Sequence, residues 1–153
     1  MILPRYRIGA STIPGAGLGL FIEEPMIRGR VLIAPDGIGN TYDLAELHGV
    51  PELAAQLHTA VRWFEERYTL SPDWPDECYV NHDFEPSGLW HLGFIFAARD
   101  LAAGEEITVD YRHLLGPGEE EVFRDARSGA PIVGLDWQES LLASTRALAA
   151  LLA

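Results

Sequence analysis

The chain contains a single cysteine, Cys78, which excludes an internal disulfide and a multi-cysteine zinc cluster. Basic residues are few: 11 Lys+Arg stand against 23 Asp+Glu, a formal charge of −12. Such a field opposes non-specific binding to nucleic acid and favours a basic ligand or peptide, although acidity is also a common solubility device. Long apolar runs are missing. The opening MILPRYRIGAS lacks the apolar core of a secretory signal, and RALAALLA at the end is too short to span a bilayer. The expectation is a cytoplasmic chain with no membrane partner and no direct nucleic-acid binding. No serine sits in a nucleophile elbow, and the Lys-Ser/Thr pair of a P-loop is absent, so neither a hydrolase triad nor that phosphate cradle is indicated. What is present is ordinary globular composition, 48% hydrophobic and 22% charged, in 153 residues that suffice for one domain.

Residues 5–9 (RYRIG), 18–23 (LGLFIE) and 30–34 (RVLIA) read as strands, separated by turns at STIPGAG and Met26–Gly29. The loop PDGIGNTYD then leads to ELAAQLHTAVRWFEERYTL. Here Leu53, Leu57, Ala60, Val61, Phe64 and Tyr68 recur at three- and four-residue spacings. That stripe predicts an amphipathic helix of about five turns, with Pro51 in its first turn and Pro72 and Pro75 past its end. CYVNH is expected as a short strand and GFIFAA as an apolar one. A turn at Ala103–Glu105 then gives a further strand ending on Tyr111. One helical turn is expected at Glu119–Arg124, then a strand at PIVGL. Asp136, followed three residues later by Glu139, makes a capping box for a closing helix. The apolar positions of that helix are Trp137, Leu141, Leu142, Leu148 and Leu152, a face suited to pairing as a homodimer. This order implies a mostly β or α+β domain and not a βαβ sheet.

Three places carry candidate chemistry. Gly17-Leu18-Gly19-Leu20 opens a strand, and glycines there let a backbone pass close to a ligand; a tight turn before a strand uses the same residues. No long helix follows, so this is not a dinucleotide fingerprint. Asn81 and His82 fit a role in satisfying buried backbone groups. His82, Asp83, Glu85 and His91 lie close in sequence, which opens a metal reading, but their spacing matches no strong zinc pattern and no metal ligand is assigned.

The blocks GAGLGLFIEEPMIRGRVL, YVNHDFEPS and AARDLAAGEEITVDY, in that order, resemble the SET domain of protein lysine methyltransferases, here as a small stand-alone member. The resemblance implies a SET-type fold of small curved β-sheets with a pseudoknot, an inserted helical segment and a C-terminal helix. It implies one domain over 1–153, with N-terminal strands at 8–42, the insert at 43–76, the C-terminal core at 77–113 and a closing segment at 114–153. The implied cofactor is S-adenosylmethionine and the implied partner a basic protein or peptide substrate. The alternative is a non-catalytic module that binds a basic peptide.

Carried over by position, the resemblance gives the backbone of Gly17, Leu18, Gly19 and Leu20 to the cofactor's methionine side. Asn81 goes to its polar end, the His82 backbone to its adenine and the Tyr111 hydroxyl to the methyl-transfer pore. Glu106 is expected to be structural and Tyr79 to be core. Val109 and Phe94 are candidates to line the space around the amine. Phe123 and Trp137 are candidates for an aromatic lid from the closing segment. The loop NHDFEPS departs from the family pattern at Asp83, Phe84 and Ser87, and Cys78 stands where an arginine is frequent.

Overall fold

Alternating side-chain direction and a tight turn produce the first hairpin. In the computed structural model, which describes residues 1–35, 39–71 and 73–153, β1 (Tyr6–Ala10) pairs antiparallel with β2 (Leu18–Ile22), Ile8 opposite Leu20. Leu20 to Ile22 are buried to a few per cent or less. β9 (Glu106–Val109) runs antiparallel to β2, with Leu20 opposite Ile107. The two-residue β6 (Asn81–His82) lies parallel to β9 on its other side, with Asn81 opposite Thr108 and His82 opposite Val109. The sheet order is therefore β1-β2-β9-β6.

A second sheet, in the order β3-β8-β7, is built from Val31–Ile33, Phe94–Ala97 and Gly88–His91 respectively. The core draws on both sheets: Leu20, Ile22, Ile107 and Val109 from the first meet Leu32, Ile33, Ile95 and Ala97 from the second. Each such side chain contributes about 1.5–3 kcal/mol on burial. Two separate hairpins flank these sheets, β4 (Val61–Phe64) with β5 (Arg67–Thr69), and β10 (Glu120–Arg124) with β11 (Pro131–Val133). Helices are few: α1 (Leu44–Gly49), the single turn α2 (Pro51–Ala54) and the C-terminal α3 (Trp137–Leu152). The result is an α+β SET-type architecture of small sheets with a closing helix.

The insert corrects the five-turn helix. Pro51 does start a helix, but α2 ends after one turn, and a 3-10 turn at Leu57–Thr59 leads straight into the β4–β5 hairpin. VRWF and RYT are rich in β-branched and aromatic residues, and Glu65, at φ 47°, makes the reversal. Long-range partners decide the outcome. Arg62 N–H donates to Leu114 O and Tyr42 pairs with Tyr68, which outcompetes the local helical pattern. Arg62, a polar position in the helical reading, is only 1% exposed. Its guanidinium donates to Leu135 O at 2.8 Å and to His113 O at 3.3 Å, lashing the insert to the closing segment.

Three smaller corrections follow the same logic. Residues 120–124 are a strand paired with β11, not a helical turn. CYVNH is a 3-10 turn over Asp76–Tyr79, and only Asn81–His82 is strand. Tyr111 begins a 3-10 turn (Tyr111–His113) just past β9 and does not end the strand itself. Asp36–Ile38 of the PDGIGNTYD loop and Pro72 lie outside the described residues.

Asp136 caps α3 by accepting from Glu139 N–H at 2.7 Å. The inward face of this helix keeps only part of the expected stripe: Trp137, Leu141 and Leu148 are half-buried. Leu142 and Leu152 are exposed, while Ser140 and Ser144 are buried against His113 and His91, each hydroxyl within 2.9 Å of a ring nitrogen. No helix among the described residues is long and apolar enough to cross a membrane.

Arg62→Ala removes donors from two carbonyls and leaves a cavity, so we expect a loss of about 2–4 kcal/mol in urea unfolding. An unchanged midpoint would show that the hairpin is not tied to the closing segment through this side chain.

Candidate active site

The site is organised around a buried carboxylate. Glu106, 8% exposed, accepts from Ser11 Oγ at 2.6 Å, Thr12 N–H at 2.7 Å, Thr12 Oγ1 at 2.6 Å and Asn81 Nδ2 at 2.9 Å. Burial alone would raise its pKa, but the hydrogen bonds from Ser11, Thr12 and Asn81 prevail and hold it below the ordinary value. The Asn81 amide also donates to Leu18 O at 2.8 Å. Because a carbonyl and a carboxylate can only accept, both contacts require the amide nitrogen, and the Asn81 Oδ1 is turned the other way. Among the described residues that oxygen accepts no hydrogen bond from another side chain.

The glycines divide their work. A Cβ on Gly19 would overlap the Glu106 carboxylate and come within 3.2 Å of Asn81 Nδ2. Glycine at 19 is therefore required by the protein's own network. Gly17, at φ +78°, has no atom within 4 Å of a would-be Cβ, so the backbone there stands open to an incoming group.

His82 and Tyr111 are joined directly. Tyr111 N–H donates to His82 Nδ1 at 3.1 Å, so the ring proton resides on Nε2. That nitrogen is buried, has no hydrogen-bond partner among the described residues, and faces Asp125 Oδ1 at 3.7 Å. Burial lowers the His82 pKa against the opposing pull of Asp110 and Asp125. The Tyr111 hydroxyl donates to Val80 O at 2.7 Å, which leaves its oxygen as an acceptor. Burial, reinforced by Glu121 and Cys78, pushes its pKa well above the ordinary 10.0, so it is a neutral phenol.

The unusual loop is matched by unusual partners. Asp83 pairs with Arg127 of the closing segment at 2.9 Å. Phe84 packs edge-on to His82 and lies under the Arg112 guanidinium, 4.7 Å from it. Ser87 is buried and donates to Glu106 O at 2.8 Å while accepting from Thr108 N–H at 2.9 Å. Asp83, Phe84 and Ser87 thus each have a partner in the fold. His91 turns away to Ser144, so it does not join His82, Asp83 and Glu85.

β9 is a wall between two cavities. The larger, of about 610 Å³, has Val80, Val109, Tyr111, Cys78, Trp63 and Trp90 among its lining residues. The smaller, of about 560 Å³, is bordered by Thr12, Pro14, His82, Thr108, Asp125 and Arg127. Alternation along the strand explains the split: Glu106 and Thr108 face one cavity, Val109 and, beyond the strand, Tyr111 the other. Gly17–Leu20 border neither, but the smaller cavity reaches the turn that precedes them. Of the pair named for the amine space, Val109 lines the larger cavity and Phe94 does not. Tyr79 packs against the core. Of the two lid candidates, Phe123 is the one beside Tyr111, edge-on at 6.3 Å.

A family model for the SET domain matches residues 17–112. The chain belongs to the SET domain family. Comparison with curated proteins gave no match. The SET match begins at Gly17 and ends just past Tyr111, so it spans Gly17–Leu20, Asn81, His82 and Tyr111 but neither lid candidate, Phe123 or Trp137. It excludes Ser11, Thr12, Glu121, Asp125 and Arg127, which the sequence reading missed. Only Ser11-Thr12 carried a usable signal, a hydroxyl pair just before the Pro-Gly turn. The other partners are distant in the chain from what they touch.

Two acid limbs in stability follow. His82, held neutral, has a folded pKa below 6.5, so its contribution is present above 6.5 and is lost as pH falls through the folded value. Glu106 has a folded pKa below 4.5, so its contribution is present above 4.5 and is lost as pH falls further. Glu106→Gln should cost roughly 2–4 kcal/mol at pH 7 and shrink the lower limb, to which Glu105 and Asp125 also contribute, while keeping the upper one. Thermal melts from pH 7 to 3 read both, and a lower limb of undiminished size in the variant would refute the assignment.

Proposed function

We propose that this SET-domain chain transfers a methyl group from S-adenosylmethionine to the side-chain amine of a lysine in a basic protein or peptide. The observation that carries the reading is the neutral Tyr111 phenol on the wall of an apolar cavity. Its proton is committed to Val80 O, its oxygen is left as an acceptor, and its backbone is bonded to His82, which borders the second cavity. A reaction that joins two substrates needs two binding spaces, and Tyr111 lines one cavity while His82, bonded to its backbone, lines the other.

The residues fit the cofactor. Asn81 Oδ1 is an acceptor suited to an ammonium group, and Gly17 nearby in the chain leaves open space where a side chain would stand. The buried His82 Nε2–H has no hydrogen-bond acceptor among the described residues, and the smaller cavity it borders is of a size for an adenosine. S-adenosylmethionine, when bound, supplies an electrophilic methyl on a sulfonium. The protein's task is then mainly alignment and desolvation. A lysine amine, with an ordinary pKa of about 10.4, must lose a proton to react, and the apolar walls formed by Val109, Trp63 and Trp90 disfavour its charged form. The Tyr111 oxygen orients the amine and offers negative potential to the transferring group without ionising.

The surplus of acid suits a basic substrate. The 153 residues contain no lysine, so they offer no lysine of their own to be methylated. Incubation with radiolabelled S-adenosylmethionine and a panel of basic proteins should label a protein other than this chain. Tyr111→Phe should lower the rate by about 10²-fold or more, with its fold intact by circular dichroism. In calorimetry, Asn81→Ala should weaken cofactor binding by about tenfold, the loss of roughly one hydrogen bond to a charged group. Cofactor binding without transfer to any substrate would reassign the chain as a binding module, and no binding at all would refute both.

A further inference from the structure

The closing segment brings a carboxylate into the larger cavity. Glu121 lies on β10, beyond the residues that match the family, and is one of the residues lining the cavity alongside Tyr111. The β10–β11 ladder slips between Glu120 and Arg124, and both Glu121 and Phe123 fall within the slipped stretch. Such irregularities re-aim side chains. Phe123 meets the Tyr111 ring edge-on, while Val122 between them is fully exposed.

What distinguishes Glu121 from the other carboxylate on this cavity wall is its lack of a cation. The other carboxylate on the cavity wall, Glu77, is paired with the N-terminal ammonium at 2.7 Å. Glu119 approaches His48, and Asp83 holds Arg127. Among the described residues no arginine or histidine lies within ion-pair distance of Glu121. Burial raises its pKa, with only the Val122 backbone N–H opposing, and Glu119 adds to the rise. A half-buried, unpaired carboxylate beside apolar walls is costly to keep unless something cationic enters.

We propose that Glu121 is the specificity residue of the larger cavity, admitting an alkylammonium side chain by pairing with its charge. This rests on the reading of that cavity as the one for the substrate. At neutral pH a lysine arrives charged, and an apolar cavity alone would exclude it. The carboxylate offsets that exclusion on entry, and the apolar walls nearer Val109 then favour loss of the proton. Glu121 acts on binding and Tyr111 on the transfer step, so the two should separate kinetically: truncating the first raises KM, truncating the second lowers kcat.

The test uses the full chain and two probes of equal shape, n-butylammonium and n-butanol, followed by tryptophan fluorescence, since Trp63, Trp74 and Trp90 all line this cavity. At pH 7 the cation should bind the unmodified protein more tightly than the alcohol. Glu121→Gln should weaken the cation by about tenfold or more and leave the alcohol unchanged. Glu120→Gln, at an exposed neighbouring position, should change neither. Cation affinity that survives Glu121→Gln, or a protein that binds neither probe, overturns the proposal. The outcomes also separate it from the methyl-transfer reading. Transfer with a KM indifferent to Glu121→Gln refutes only the role of Glu121. Charge-selective binding without transfer supports that role and refutes only the enzyme.

Discussion

A single buried carboxylate holds the site together. Glu106 sits where β1's outgoing turn, β2, β6 and β9 converge, and its side chain ties the turn and Asn81 to strands already paired through their backbones. Its acceptor capacity is filled by groups from the turn and from Asn81. Those bonds orient the Asn81 amide, and the same packing forbids any side chain at position 19. The glycine motif and the Asn-His motif are therefore parts of one construction. A buried charge is expensive in isolation, but surrounded by short hydrogen bonds it becomes a point of reference that flexible apolar contacts cannot supply.

The parts of this design that were legible in the sequence are those with a local signature. The strands around Leu20, Ile95 and Ile107 carry continuous apolar runs, and Asn81, His82 and Tyr111 stand at strand ends in a recognisable order. The insert was misread because its helical spacing was satisfied locally while its real partners were remote. Arg62 is buried against the carbonyls of His113 and Leu135, and nothing near it in the chain announces that. Arg127 pairs with an aspartate 44 residues earlier. Such pairings exist only once the chain has folded, and residue spacing does not encode them. The serine face of α3 is a similar case, since serine on a helix signals burial only when a histidine waits opposite.

The closing segment has a larger part than its position at the end suggests. It supplies Arg127 to neutralise the loop acid Asp83, Asp125 to face the His82 ring, and Phe123 to shield Tyr111. Acids within the NHDFEPS loop would repel one another and the loop would lose its shape if this segment were displaced. The unusual loop and the unusual tail are thus complementary, each tolerable because of the other.

The alternation of β9 has a bearing on how such a protein can change over time. Neighbouring residues of one short strand touch different chambers, so a substitution at Val109 can reshape one chamber while Thr108 and the other remain as they were. Insertion or deletion of a residue is another matter, because it would exchange the faces of the whole strand at once. Substitution is thus open to this strand as a route of divergence, and a change of length is closed to it.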